Sequence, residues 1–383
     1  MQAQFKDRQF QLSYLRTLLT LLVVAHHSAF AYTSFKLPRL PFTVQPLIWA
    51  AFPIIDSVKW PGFDLLVEWN DIFFMALMFF VSGLFVWPSL RRHGTGKFIQ
   101  RRMLRLGIPF ILAAGVLAPV AYFPAFVQST GDTSWISYAH AWLALGNWPA
   151  GPAWFLWVLL VFDGVAALCF AATPRVVELL AGGVRKISSR PALLFLSLTL
   201  LSFAAYVPMS IRFGGEAWWG WGPFSVQSNR VIHYFVYFGM GVSLGALGTE
   251  NPLFERKGPL ARRWWLWGLG MAVAFQAIVA LALTGRALAA KFMFPVSCAA
   301  SSIFVIALVI RFARPLRWAD SLSANAYGIY LLHYIFVIWV QYAALHWALP
   351  AFVKGLAVWI VAVGLSWMTT TVMRQSKMVE RRV

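Results

Sequence analysis

Three groups of residues have types and spacings that could do chemistry. In YLRTLLTLLVVAHHSAFAY, Tyr14 to Tyr32, the residues Arg16, His26 and His27 interrupt an otherwise apolar run. On an α-helix, Arg16 and His27 differ by about 20° after three turns and stand about 16 Å apart along one face, while His26 points about 100° away. A neutral imidazole in a low-dielectric site can act as a general base toward a hydroxyl or as a nucleophile. An arginine nearer the helix end can snorkel toward phosphate or water. The plain readings are an interfacial anchor for Arg16 and a helix-packing hydrogen bond for His27.

The second group is KFIQRRMLRLGIP, Lys97 to Pro109, which puts Arg102 and Arg105 on one helical face. Guanidinium forks suit phosphates, so the pair could clamp a polyanionic cofactor such as a nucleotide-bearing thioester. A merely basic loop is its plain reading. The third is SLSANAYGIYLLHYIF, Ser321 to Phe336. Here His333 lies about 80° around the helix from Asn325, Ser323 reads as a helix cap, and a lone bundle histidine reads first as a structural bond. Two lesser stretches accompany these. FFVSGLFV places Ser82 and Gly83 where small residues allow close helix approach. GPAWFLWVLLVF opens on a Gly-Pro turn and puts Trp154 in an aromatic girdle. Asp163 needs a basic partner, an arginine or a histidine.

Apolar helices must position all of these. The 383-residue chain is 60% hydrophobic and 12% charged, about half the charged share of globular domains. The fold class is therefore all-α, a polytopic membrane helix bundle. About ten apolar spans follow, roughly at 13–34, 71–90, 104–126, 153–172, 192–211, 230–248, 264–284, 290–310, 323–342 and 351–372, each near the ~20 residues a crossing needs. The net charge of +19 would suggest nucleic acid in a soluble protein. Here the lysines and arginines cluster in alternate short loops, which the positive-inside rule explains, so no nucleic-acid partner is expected and both termini are placed in the cytoplasm. Lys6, Arg8, the run Leu18–Ala25 and Ala29-Phe30-Ala31 imitate a signal peptide. Arg16 and the histidine pair sit poorly in a signal core, so the segment is read as the first span.

The loop at about 35–70 holds Asp56, Asp64 and Glu68 and reads as a folded cap. RFGGEAWWGWGPFSVQSN, 212–229, reads as an interfacial tryptophan belt, with stacking on a sugar ring as the sharper alternative. Cys169 and Cys298 lie in apolar runs and suggest neither a disulfide nor a metal site. No Walker loop, HExxH or GxSxG stretch is present. A single domain over 1–383 is expected, with no appended soluble domain.

These stretches, in this order, resemble the acyltransferase-three family of integral membrane proteins. The likeness rests on Arg16 and His27 in the first span, FFVSG in the second, Arg102-x-x-Arg105 before the third, Trp154-Phe155-Leu156 in the fourth and YGIYLLH, Tyr327 to His333, late in the chain. RLGIP and GPAWFLWVLL look most like the branch of periplasmic glucan-modifying acyltransferases. The resemblance implies transfer of an acetyl or succinyl group from cytosolic acyl-CoA (acetyl-CoA or succinyl-CoA) to a hydroxyl of an extracytoplasmic glycan or related acceptor, by a multi-pass protein of the bacterial inner membrane. It implies catalytic roles for His27 and Arg16 and donor binding by Arg102, Arg105 and Arg16, with His333, Trp154 and Ser82 as secondary candidates. No metal is implied. Where family members carry a proline after the late histidine, this chain has Tyr334, which bears on the local helix geometry. A soluble periplasmic partner, if used, would be a separate protein. A transporter or flippase is the rival reading, because buried arginine and histidine serve transport as well.

Overall fold

A computed structural model describes residues 2–35, 42, 50–173, 183–215, 217–248 and 251–376. The architecture is an all-α bundle. Its helices are α1 (Gln2–Phe30), α2 (Pro61–Gly83), α3 (Val86–Arg102), α4 (Ile108–Leu112), α5 (Ala118–Thr130), α6 (Trp135–Leu143), α7 (Trp154–Ala172), α8 (Pro191–Phe213), α9 (Val231–Ala246), α10 (Pro259–Arg262), α11 (Trp264–Leu283), α12 (Ala287–Phe312), α13 (Arg317–Ala344) and α14 (Ala351–Gln375). Among the described residues, eight helical segments are long and apolar enough to cross a membrane. Two more complete the expected set. α1 is long enough, but Arg16 and its two histidines dilute its hydropathy. α9 is apolar but has only 16 residues.

α1 sits inside the bundle and packs against α2, α12, α13 and α14. Small residues explain the close contact between α2 and α9. A Cβ on Gly241 would lie 2.1 Å from the Phe80 carbonyl oxygen, and one on Gly83 would lie 2.3 Å from that of Phe238. Lipid tails are as apolar as leucine, so helices in a bilayer associate through such close backbone packing and not through apolar burial.

The second span begins at Pro61, ten residues before its expected start, so Asp64 and Glu68 belong to a helix and not to the preceding loop. Its polar first half finds partners on other segments. Pro61 occupies the first helical turn, where its missing N–H costs nothing. Asp64 accepts from the Ser34 N–H at 2.7 Å, Asn70 donates to the Leu22 carbonyl at 3.0 Å, and Asp71 pairs with Arg230 at 2.6 Å. The ninth span likewise starts early, at Arg317, so Ser323 is an interior residue and not a cap. The Tyr14 hydroxyl donates to Asp320 at 2.5 Å in that first turn.

Part of the cap expected for 35–70 is described. Residues 50–60 fold onto the end of α1, with the Asp56 N–H on the Ala31 carbonyl and the Trp60 N–H on that of Tyr32, both at 3.0 Å. The wholly buried Asp56–Lys354 pair, at 2.8 Å, ties this segment to α14. Residues 36–41 and 43–49 of that reading lie outside the described residues, as do the basic positions Arg175, Lys377, Arg381 and Arg382. The tryptophan-rich stretch forms a hairpin, with strand Trp218–Trp221 antiparallel to strand Phe224–Gln227. Trp218, Trp219 and Trp221 are exposed on it.

Candidate active site

Apart from Trp154, the expected site residues fall into two groups joined by α1. At the Arg16 end, a cavity of about 760 Å³ is lined by Arg16, Ser82, Arg92, Arg101, Arg102 and Arg105, together with His93. Sequence reasoning named three of these five arginines; Arg92 and Arg101 join them from α3. That helix breaks at Gly94, whose φ of 74 suits glycine. His93 accepts from Arg101 Nη1 at 2.7 Å across the break. Arg102 pairs through Nε with Asp163 Oδ2 at 3.2 Å, which settles the partner of that buried carboxylate. Arg16 lies over the Phe85 ring and Arg102 over the Phe98 ring, each about 5 Å from the centroid. Such faces hold a guanidinium without cancelling its charge. Ser82 lines the cavity, but its hydroxyl is bonded back to the Met78 carbonyl at 2.8 Å.

Arg105 sits in a π-helical stretch, Met103–Gly107, ahead of Pro109. Proline has no N–H to return to the carbonyl four residues earlier, so the Arg105 carbonyl is left short of a donor. The Tyr327 hydroxyl of α13 supplies one. A second π stretch, Ala113–Leu117, leads into α5.

The other group lies at the far end of α1. His27 Nδ1 is 2.8 Å from the Val23 carbonyl and 3.4 Å from His333 Nε2, and His333 Nδ1 is 2.7 Å from the Tyr330 carbonyl. His333 is wholly buried, whereas His27 is half-buried. The Tyr334 ring stands edge-on to His27 at 5.0 Å, and its hydroxyl is 3.2 Å from that of Tyr122. α13 runs unbroken through Tyr334, so the departure from the proline pattern leaves a continuous helix. Gln341 Nε2 donates to the His27 carbonyl at 2.8 Å and the Ser28 carbonyl at 3.2 Å. It thereby satisfies carbonyls that the end of α1 leaves open. His26 turns away, buried against Phe30 and Phe74.

α13 joins the groups. Tyr327 reaches Arg105, Tyr330 donates to the Pro152 carbonyl in the Gly-Pro turn ahead of α7, and His333 meets His27. The YGIYLLH stretch thus makes three contacts with other segments, at three-residue steps along α13. Trp154 belongs to neither group. It stacks on Tyr234 and stands edge-on to Trp218 of the hairpin.

The acyltransferase domain profile of the acyltransferase-three family matches residues 10–372, from the first turns of α1 into α14. The chain belongs to the acyltransferase-three family. Neither the curated proteins nor the solved structures gave a match. The match covers both groups, so this acyltransferase-three chain is a multi-pass membrane acyltransferase in which the arginine cavity and the histidine pair share one domain profile. Sequence reasoning missed Arg92, His93, Arg101, Gln341 and the tyrosine contacts. The one available signal was the three-residue step from Tyr327 to Tyr330 to His333, a spacing that keeps side chains on neighbouring sides of a helix.

Proposed function

We propose that this acyltransferase takes an acetyl or succinyl group from acyl-CoA and passes it to a hydroxyl of a glycan or related acceptor across the bacterial inner membrane. The observation that carries the reading is the arginine cavity, with five guanidinium groups around about 760 Å³. Of these, Arg102 pairs with the carboxylate of Asp163. A cluster of that charge fits a ligand with several phosphates, and planar forks suit phosphate oxygens. Arg102 and Arg105 hold the donor phosphates, and Arg16 helps to orient them. The acyl-bearing arm then runs along α1 toward His27, about 16 Å further along the helix.

His27 either takes the proton of the acceptor hydroxyl as it attacks the thioester or first accepts the acyl group itself. A trapped acyl-protein formed with donor alone, and lost in His27→Ala, marks the second route; turnover without such a species marks the first. The likeness of RLGIP and GPAWFLWVLL to the glucan-modifying branch supports a periplasmic glucan as the acceptor to try first.

The test is direct. Purified protein in lipid nanodiscs is supplied with acetyl-CoA or succinyl-CoA, and free thiol release is followed with and without glucan. Thioester consumption that falls about a hundredfold at subsaturating donor in the Arg102→Ala/Arg105→Ala variant is the expected result. Protein that neither binds nor consumes either thioester, yet moves a solute across the membrane, overturns the reading. Mass spectrometry of envelope glycans from cells with and without the protein then identifies the acyl group and its acceptor.

A further inference from the structure

We infer that His333 is a positioning residue: together with the Val23 carbonyl it fixes the tautomer of His27 that leaves Nε2 unprotonated, and its lone pair takes up the charge that develops on the His27 ring during transfer. The inference rests on His27 being the acyl-transfer residue and adds a second histidine to it.

Two independent hydrogen-bond constraints give the same tautomer. A carbonyl oxygen only accepts, so His333 Nδ1, 2.7 Å from the Tyr330 carbonyl, carries the proton of that ring. A neutral imidazole has one N–H, so His333 Nε2 bears a lone pair. This lone pair faces His27 Nδ1 at 3.4 Å. Two lone pairs do not face one another, so His27 Nδ1 carries its ring's proton. The Val23 carbonyl, 2.8 Å from the same nitrogen, requires the same answer without reference to His333. The Nδ1–H is therefore shared between Val23 and His333, and Nε2 is left as the free base. Among the described residues no hydrogen-bond partner meets His27 Nε2, and the half-buried ring leaves it within reach of a substrate. His26 offers a contrast, since its Nδ1 is buried without a partner.

The chemistry follows from the shared proton. In direct transfer, the acceptor proton moves to His27 Nε2 and the acceptor oxygen bonds to the thioester carbonyl carbon. The C–S bond breaks with its electron pair on sulfur, and sulfur then takes the Nε2 proton. In the acyl-histidine route, Nε2 bonds to the carbonyl carbon, the thiolate leaves, and the Nδ1 proton passes to His333 Nε2. The acceptor oxygen then attacks the acyl carbon, the C–N bond breaks, Nδ1 recovers its proton from His333, and the acceptor proton ends on the thiolate. Both routes place positive charge on the His27 ring, and both share it with His333. A neutral histidine supplies this without adding the standing charge that a carboxylate would bring into the membrane interior, where ionised groups are costly. The separation of 3.4 Å is long for an N–H···N bond, and such bonds tighten once charge develops.

The test uses diethyl pyrocarbonate, which acylates an unprotonated imidazole nitrogen and needs no natural donor. Carbethoxylation of His27 in the purified full chain is timed by peptide mass spectrometry, with fragment ions separating it from His26. In His333→Phe, which fills the space without a lone pair, the His27 rate falls about tenfold or more, whereas His333→Gln, whose amide oxygen still accepts, stays within about threefold of wild type. An unchanged rate in His333→Phe, or equal losses in both variants, overturns the inference. Should His333→Phe not fold, ¹⁵N-histidine NMR of the unaltered protein decides. A protonated Nδ1 on His27 facing a bare Nε2 on His333 supports the inference, and a protonated Nε2 on either ring sinks it. Neither measurement involves acyl-CoA. A failure of the donor reading therefore shows as absent turnover with these results intact, and a failure of the pairing shows in these results alone.

Discussion

The two ends of α1 treat polar groups in opposite ways. At the Arg16 end, five arginines line an open cavity of about 760 Å³, and aromatic faces hold two of them. At the His27 end, two imidazoles, a backbone carbonyl and a tyrosine pair stand within hydrogen-bond or ring contact of one another. The first arrangement leaves charge available to a ligand; the second fixes where single protons sit. The difference follows from cost. A guanidinium keeps its charge wherever it sits, so burying it is costly unless water or an anion reaches it, whereas a neutral imidazole can be buried once its N–H has an acceptor. In the proposed function the same helix therefore carries a binding end and a chemical end, and its length separates them.

That contrast can be broken most sharply at His27. His27→Ala should lower kcat about a thousandfold while leaving donor KM within about threefold, because general acid–base or nucleophilic function is lost but the cavity is untouched. Thiol release from acyl-CoA measures both. The opposite pattern is expected for Arg102→Ala/Arg105→Ala, with donor KM raised about a hundredfold and kcat changed little, since each charge-assisted bond is worth roughly 1.5–3 kcal/mol. If the double variant loses kcat instead, the division between binding and chemistry fails. Salt sharpens the comparison: raising ionic strength about tenfold should weaken donor KM several-fold, while His27 carbethoxylation stays constant, because screening acts on the hydrated arginines and not on a neutral buried pair. The smallest effect is expected at the link. Tyr330→Phe removes the bond to the Pro152 carbonyl and should cost about 1 kcal/mol, read as a modest drop in thermal midpoint with the activity retained.

Much of the frame was legible in the sequence, for identifiable reasons. Apolar length marks spans directly, and Arg16 and His27 could be placed on one face because helix periodicity needs no tertiary knowledge. The start of α2 was not legible. Asp64 and Asn70 look too polar for a span until the Ser34 N–H and the Leu22 carbonyl arrive to partner them. Arg92 and Arg101 were hidden by the positive-inside rule, which accounts for a basic loop whether or not it lines a cavity. The pairing of His27 with His333 spans 306 positions, and no local pattern encodes a contact of that range. The hairpin was masked by its tryptophans, which suit a membrane interface equally well as an irregular loop.

The close approach of α2 and α9 has a consequence for how this sequence can vary. A side chain added at Gly83, Gly241 or Gly245 would meet a backbone carbonyl, at 2.1 to 2.3 Å, and a carbonyl held in a helix cannot step aside. A side chain added at Gly328 would instead meet the Thr370 side chain at 2.4 Å, and one at Gly268 would meet the Phe304 ring at 2.9 Å. Those two positions can drift if their partners shrink in step. The three in the α2–α9 seam have no partner whose change could compensate, so among descendants of this sequence they should stay glycine while Gly328 and Thr370 trade size as a pair.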